Sequence, residues 1–147
     1  MRQAGKPVED DVAGRDLSAR TVRALRGATQ VDADERETVL AATRELVGEV
    51  LARNELGPQD VVSIVFTATR DLTAVAPALA ARQLGLHDVA LICAQEMWVE
   101  GSMPRVVRLL AHVETARRRD EVVNVYLHGT EVLRADVPAV PDNRALT

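Results

Sequence analysis

The sequence predicts an α+β fold: a mixed β-sheet with helices packed on one face. Three observations carry this. Short apolar runs bounded by turn residues, such as Val61–Ala68 and Val89–Cys93, have strand length and strand composition. Val39, Leu40, Thr43, Leu46, Val47, Val50 and Leu51 recur at helical spacing with charged residues between them. The segments follow one another as strand, helix, strand, helix, strand, helix, strand, strand, an order that gives a sheet with helices on one side. The other sheet face would be bare in a monomer, so self-association is expected to cover it.

Met1 to Arg20 is polar, contains Gly and Pro, and has no periodicity, which predicts a flexible tail over 1–20. Val22 to Thr29 suits a first strand. Asp32 and Asp34 then offer N-caps for the long helix, whose pattern stops at Gly57-Pro58. Val61 to Ala68 is a buried strand, and Asp71 to Thr73 turns the chain. Pro77 fits the first turn of a short second helix, where its missing N–H is harmless, and that helix ends at Gly85. Val89 to Cys93 is the third strand.

After Glu100-Gly101-Ser102, Pro104 is expected to open a third helix. Its apolar side is Val106, Val107, Leu110 and Val113, with Arg105, Arg108 and His112 on another face. Arg117 to Asp120 reads as a charged turn. Val122 to His128 and Glu131 to Arg134 are expected to pair as a hairpin around Gly129-Thr130. Pro138 and Pro141 mark a flexible tail over 138–147, leaving one domain over 21–137.

Composition narrows the function. At 147 residues, with 47% hydrophobic residues, the chain is long and apolar enough for a real core. A net charge of −4 argues against non-specific nucleic-acid binding, although a local arginine cluster still suits a small anion. Cys93 is the single cysteine, so no internal disulfide or cysteine-rich zinc site forms. No apolar run reaches membrane-spanning length, and the first residues lack the apolar stretch of a signal peptide; a cytoplasmic location and no membrane partner are expected. Glycines form no phosphate loop or dinucleotide fingerprint, the three histidines lack metal spacing, and no Gly-x-Ser-x-Gly elbow occurs. These absences remove nucleotide enzymes, metallohydrolases and serine hydrolases.

The candidate residues are polar groups near the ends of apolar segments: Arg26, Cys93, Glu96, Arg108, Tyr126 and Arg134. Each has an ordinary reading. Arg26 resembles any surface arginine at a strand end, Cys93 alone is a small buried hydrophobe, Glu96 a surface ion-pair partner and Arg108 a solvated helix residue. Taken together, three guanidinium groups suit a ligand with two carboxylates, since each presents a planar fork to a carboxylate. No histidine is spaced to activate Cys93, so covalent catalysis is rejected. The Arg117-Arg118-Arg119 run, without interleaved aromatics, is a solvated turn rather than an RNA contact.

The segments Arg26–Thr29 (Arg-Gly-Ala-Thr), Ala68–Val75, Cys93–Met97 (Cys-Ala-Gln-Glu-Met), Arg108, Val125–Leu127 and Val132–Asp136 share their order and spacing with a known family. Over about Val22 to Asp136 the chain resembles the monofunctional trimeric chorismate mutases of the Bacillus (AroH) class. The resemblance implies a homotrimer with active sites shared between subunits. It also implies conversion of chorismate to prephenate in aromatic amino-acid biosynthesis, by a pericyclic rearrangement that needs no cofactor and no metal. By the same resemblance Arg108 stands beside the ether oxygen that gains charge, and Arg26 and Tyr126 hold a carboxylate. Glu96 takes the ring hydroxyl, with Cys93 touching it. Arg82 lies near the pocket mouth, Leu133 lines the pocket and Arg134 adds positive field. Ala76, Leu79 and Ile92 depart from the Bacillus pattern, which has an aromatic, a lysine and a threonine there; the mouth should be wider and less positive. A non-catalytic binder of chorismate-like dicarboxylates and, more distantly, a trimeric imine deaminase are the alternatives.

Overall fold

In a computed structural model, residues 19–136 are described. They form β1 (Thr21–Gln30), α1 (Arg36–Arg53), β2 (Val61–Ala68), α2 (Ala78–Gln83), β3 (Ala90–Gln95), β4 (Val106–Thr115) and β5 (Val125–Tyr126). Three-residue 3₁₀ turns at Pro58–Asp60 and Arg119–Glu121 and a 3₁₀ segment at Thr130–Asp136 complete the chain. The expected tails over 1–20 and 138–147 lie almost wholly outside the described residues. No helix among the described residues is long and apolar enough to cross a membrane.

The five strands form one mixed sheet in the order β3-β2-β4-β1-β5. β4 runs antiparallel to β1 and β2, while β3 and β5 run parallel to β2 and β1. One sheet face packs on α1: Leu25, Ile64, Phe66, Val107, Leu109, Ala111 and Val113 join Val39, Leu46, Val47 and Val50 in a single core. Phe66 is fully buried there. Gly27 faces α1 at close quarters; a Cβ on it would lie 3.2 Å from Leu46, 3.3 Å from Leu109 and 3.3 Å from the Val125 carbonyl. The absent side chain lets the helix sit directly on the sheet.

The expected mixed sheet with helices on one face is present, with three local corrections. Val106–Val113 is not a helix but the body of β4, in the middle of the sheet. Its odd-numbered residues face the core and its even-numbered ones the other side, the period of a strand. Leu110, exposed on the outer face, broke the alternation and made helical spacing look equally good. The C-terminal hairpin is likewise absent. After the two-residue β5, His128 and Gly129 take positive φ values of 53° and 87°, and the Thr130 hydroxyl donates to the Leu127 and Ala28 carbonyls. That hydroxyl turns the chain into a 3₁₀ segment instead of a second strand. Finally, Asp34 does not cap α1. Glu35 stands at the N-cap without a side-chain bond, and the Asp34 carboxylate accepts from the Thr73 and Ala74 backbone N–H groups at 3.0 Å each.

Candidate active site

The register of the sheet places the site. Ala94, Thr67, Arg108, Ala28 and Tyr126 are successive partners across all five strands. Residues paired across a sheet point to the same face. This row therefore looks away from α1, since Val107 and Leu109 on either side of Arg108 face the core. Arg108 and Tyr126 are two strands apart, about 10 Å between backbones. Ala28 between them is small, so two long side chains can lean toward each other. The next row is Ile92, Val65, Leu110 and Arg26, on the same face. Arg26 sits mid-strand rather than at a strand end, and its backbone N–H is held by Asn124 at 2.8 Å.

Glu96, just past β3, completes the centre of this row. Its Oε1 accepts from the Thr67 hydroxyl at 2.8 Å and lies 3.1 Å from Arg108 Nε. The Arg108–Glu96 approach is close enough for ion pairing but is not aligned as a hydrogen bond. Both side chains are about one-quarter exposed, so the pair is partly desolvated yet open to a ligand. Glu96, Arg108 and Leu133 line one cleft of about 780 Å³, roofed by the loop from Met97 to Pro104. Arg134 stacks its guanidinium 5.8 Å from the Tyr126 ring centre.

Ala76 and Cys93 open into a different cavity, of about 310 Å³, with Ala68, Leu72, Val75 and Pro77. Cys93 pairs with Phe66 and thus points to the helix side, where its sulfur accepts from the Ala78 N–H at 3.4 Å. It is free and exposed, not the buried hydrophobe its composition suggested. Two cavities therefore flank β3, the edge strand: Arg108, Glu96 and Leu133 line one, Ala76 and Cys93 the other. Arg82, exposed on α2, lines neither. A third depression, lined by Asp32, Glu37 and Glu45 beside His128, is too acidic for a dianion.

Arg108 lies on a strand and not on a helix, as corrected above. Arg105, expected to share its face with Arg108, instead precedes β4. It has a φ of 51°, and its Nε donates to the Val31 carbonyl at 2.8 Å. The sequence reading missed Thr67, which steadies Glu96; strand alternation with Val65 would have put it on the Arg108 face. It also missed two carboxylates that hold the loop after β2. Asp71 accepts from the Thr69 hydroxyl at 2.5 Å and from the Arg105 N–H at 3.0 Å. Asp34 accepts from Thr73 and Ala74, chiefly the Ala74 N–H and then the Thr73 hydroxyl, and these bonds hold its pKa below the ordinary aspartate value.

Known proteins resemble this chain in sequence and fold. The profile of the family described as chorismate mutase type I matches residues 22–137. The chain is 44% identical over 117 residues to chorismate mutase AroH of Thermus thermophilus, covering 79% of this chain and 96% of that protein. Identity to chorismate mutase AroH of Bacillus subtilis is 39% over 117 residues, covering 79% and 92%. The solved structure of a chorismate mutase from Clostridium thermocellum superposes with a TM-score of 0.73 at 39% identity, covering 74% of this chain and 97% of that one. With the family profile matching residues 22–137 and two relatives at 44% and 39% identity, the chain belongs to the type I chorismate mutase family.

Proposed function

We propose that this protein isomerises chorismate to prephenate, and that it does so in the cytoplasm for aromatic amino-acid biosynthesis. The observation that carries the reading is the Arg108 guanidinium, held against Glu96 in an open cleft. In the rearrangement one C–O bond breaks as one C–C bond forms, within one molecule. No proton has to move and no cofactor takes part. Negative charge grows on the ether oxygen as the C–O bond lengthens. A cation fixed beside that oxygen stabilises the transition state more than the ground state. Arg108 takes that role. Glu96, steadied by Thr67, accepts the ring hydroxyl and fixes the ring's orientation. Arg26 and the Tyr126 hydroxyl hold a carboxylate, with Arg134 adding positive field. Holding the floppy dianion compact supplies orientation before reaction.

The working unit on this reading is a homotrimer. A single chain carries two half-sites on opposite sides of an edge strand, and a neighbour's Ala76–Cys93 half would close the Arg108 cleft. The bare sheet face supports association: Ile92, Val22 and Leu110 are 61%, 53% and 39% exposed on it. Arg82 and Leu79 would come to the pocket mouth from that neighbour.

The test is direct. Purified protein is mixed with chorismate and the loss of its ultraviolet absorbance is followed, with and without a chelator. Acceleration unaffected by the chelator is expected. Saturable chorismate binding at the spontaneous rate would replace this reading with a non-catalytic binder.

A further inference from the structure

The Ala76–Cys93 half-site is lined by eleven residues of which a single one is charged, Arg70. Arg70 is exposed at the start of the loop after β2, and no carboxylate of a described residue lies within ion-pair distance of it. It is nevertheless not a wandering surface side chain. Its guanidinium carbon lies 4.0 Å from the centre of the Trp98 ring. Trp98 belongs to the loop that roofs the other cleft, so the stack ties the edges of both half-sites together. The loop under Arg70 is itself pinned, by Asp71 to Arg105 and by Asp34 to Thr73 and Ala74.

Stacking occupies the face of a guanidinium and leaves its in-plane N–H groups unused. Those edge donors form the fork that matches a carboxylate. A cation whose position is fixed in advance, whose edge is open and which borders a cavity without other charge is suited to capture an anion.

We infer that Arg70, held over the Trp98 ring, is a further substrate-binding residue that grips a carboxylate at the Ala76–Cys93 half-site. This rests on the chorismate reading of the same site. It also supplies positive charge to a mouth where Leu79 has none. Trp98 is a positioning residue: it fixes Arg70 and touches no reacting atom.

The experiment compares Arg70→Ala, Arg70→Lys and Trp98→Leu with the parent, by steady-state kinetics on chorismate and by calorimetric titration with prephenate. Losing one charge-assisted contact at a screened, exposed position raises KM about tenfold in Arg70→Ala, with kcat within about twofold of the parent. Arg70→Lys recovers part of the loss, and Trp98→Leu raises KM by roughly threefold through lost orientation alone. Prephenate affinity falls in step with KM. Unchanged KM and prephenate affinity in Arg70→Ala overturn the proposal. So does an equal fall of kcat in Arg70→Ala and Trp98→Leu, which marks the stack as a brace for the Glu96 loop. A parent that binds prephenate through Arg70 but turns over no chorismate sinks the mutase reading while leaving the Arg70 site standing.

Discussion

At the scale of single residues, the site depends on how few groups hold each charge in place. Glu96 is oriented by one hydroxyl, that of Thr67. Thr67→Val keeps the β-branched shape and removes the bond. A bond to a charged acceptor is worth about 1.5–3 kcal/mol, so kcat should fall roughly tenfold or more while the fold survives. Circular dichroism beside the kinetics separates the two effects; an unchanged kcat would mean that Glu96 needs no such support. Ala76 makes the opposite kind of statement. It is exposed in its cavity, at a position where the resemblance to the Bacillus pattern implies an aromatic. Ala76→Phe restores a hydrophobic wall, and burying such a ring contributes about 1.5–3 kcal/mol, so KM should drop at least several-fold. A KM that rises or stays put would show that the wider mouth is matched by something else in this chain.

At the scale of elements, most of the architecture was legible and the failures have a common cause. β1, β2, β3 and both helices follow from short apolar runs, helical spacing and the Pro77 and Gly85 boundaries, because tertiary packing there agrees with local pattern. β4 did not, because Leu110 gives the strand an apolar residue on its outer face, where assembly rather than the core of one chain would bury it. The motifs around Arg26, Glu96, Arg108 and Tyr126 were readable as a set. Their alignment in adjoining rows was not, since it depends on strand order and register that no local segment encodes. Thr67, Asp34 and Asp71 were missed for the same reason: each acts on a segment distant in sequence.

Two predictions belong to elements. Gly27→Ala places a methyl group against Leu46, Leu109 and the β5 backbone. Overpacking of this kind costs about 1–3 kcal/mol, so thermal unfolding should begin several degrees lower. An unaltered melting temperature would show that α1 can move away freely. The Asp34 anchor predicts a pH dependence. Its pKa is depressed in the folded protein, so the unfolded chain takes up the proton first as pH falls. The stabilisation is complete above the ordinary value of 3.8 and is lost only as pH drops through the folded value. Asp34→Asn should therefore lower stability equally at pH 6 and pH 8, with the difference from the parent shrinking toward strongly acidic pH. A difference that grows on acidification has the wrong sign.

For the whole molecule, the proposed half-sites and the exposed sheet face both point to self-association. A chain whose cleft carries Arg108 and Glu96, and whose opposite edge carries Ala76, Cys93 and Arg70, is complete on this account only beside a copy of itself. Ile92→Lys puts a charge on the exposed face, at its β3 edge. Mass by light scattering should fall from trimer to monomer and turnover should vanish with it; an active monomer would show that one chain holds the entire site. The central claim, however, is electrostatic: a fixed guanidinium beside the oxygen that gains charge. It is tested most directly by kcat for chorismate in Arg108→Ala, measured on a preparation whose mass equals that of the parent. Loss of such a preorganised donor costs about 3–4 kcal/mol, so kcat should fall by roughly 10²–10³ or more. A kcat within a few-fold of the parent in that intact assembly would contradict the account.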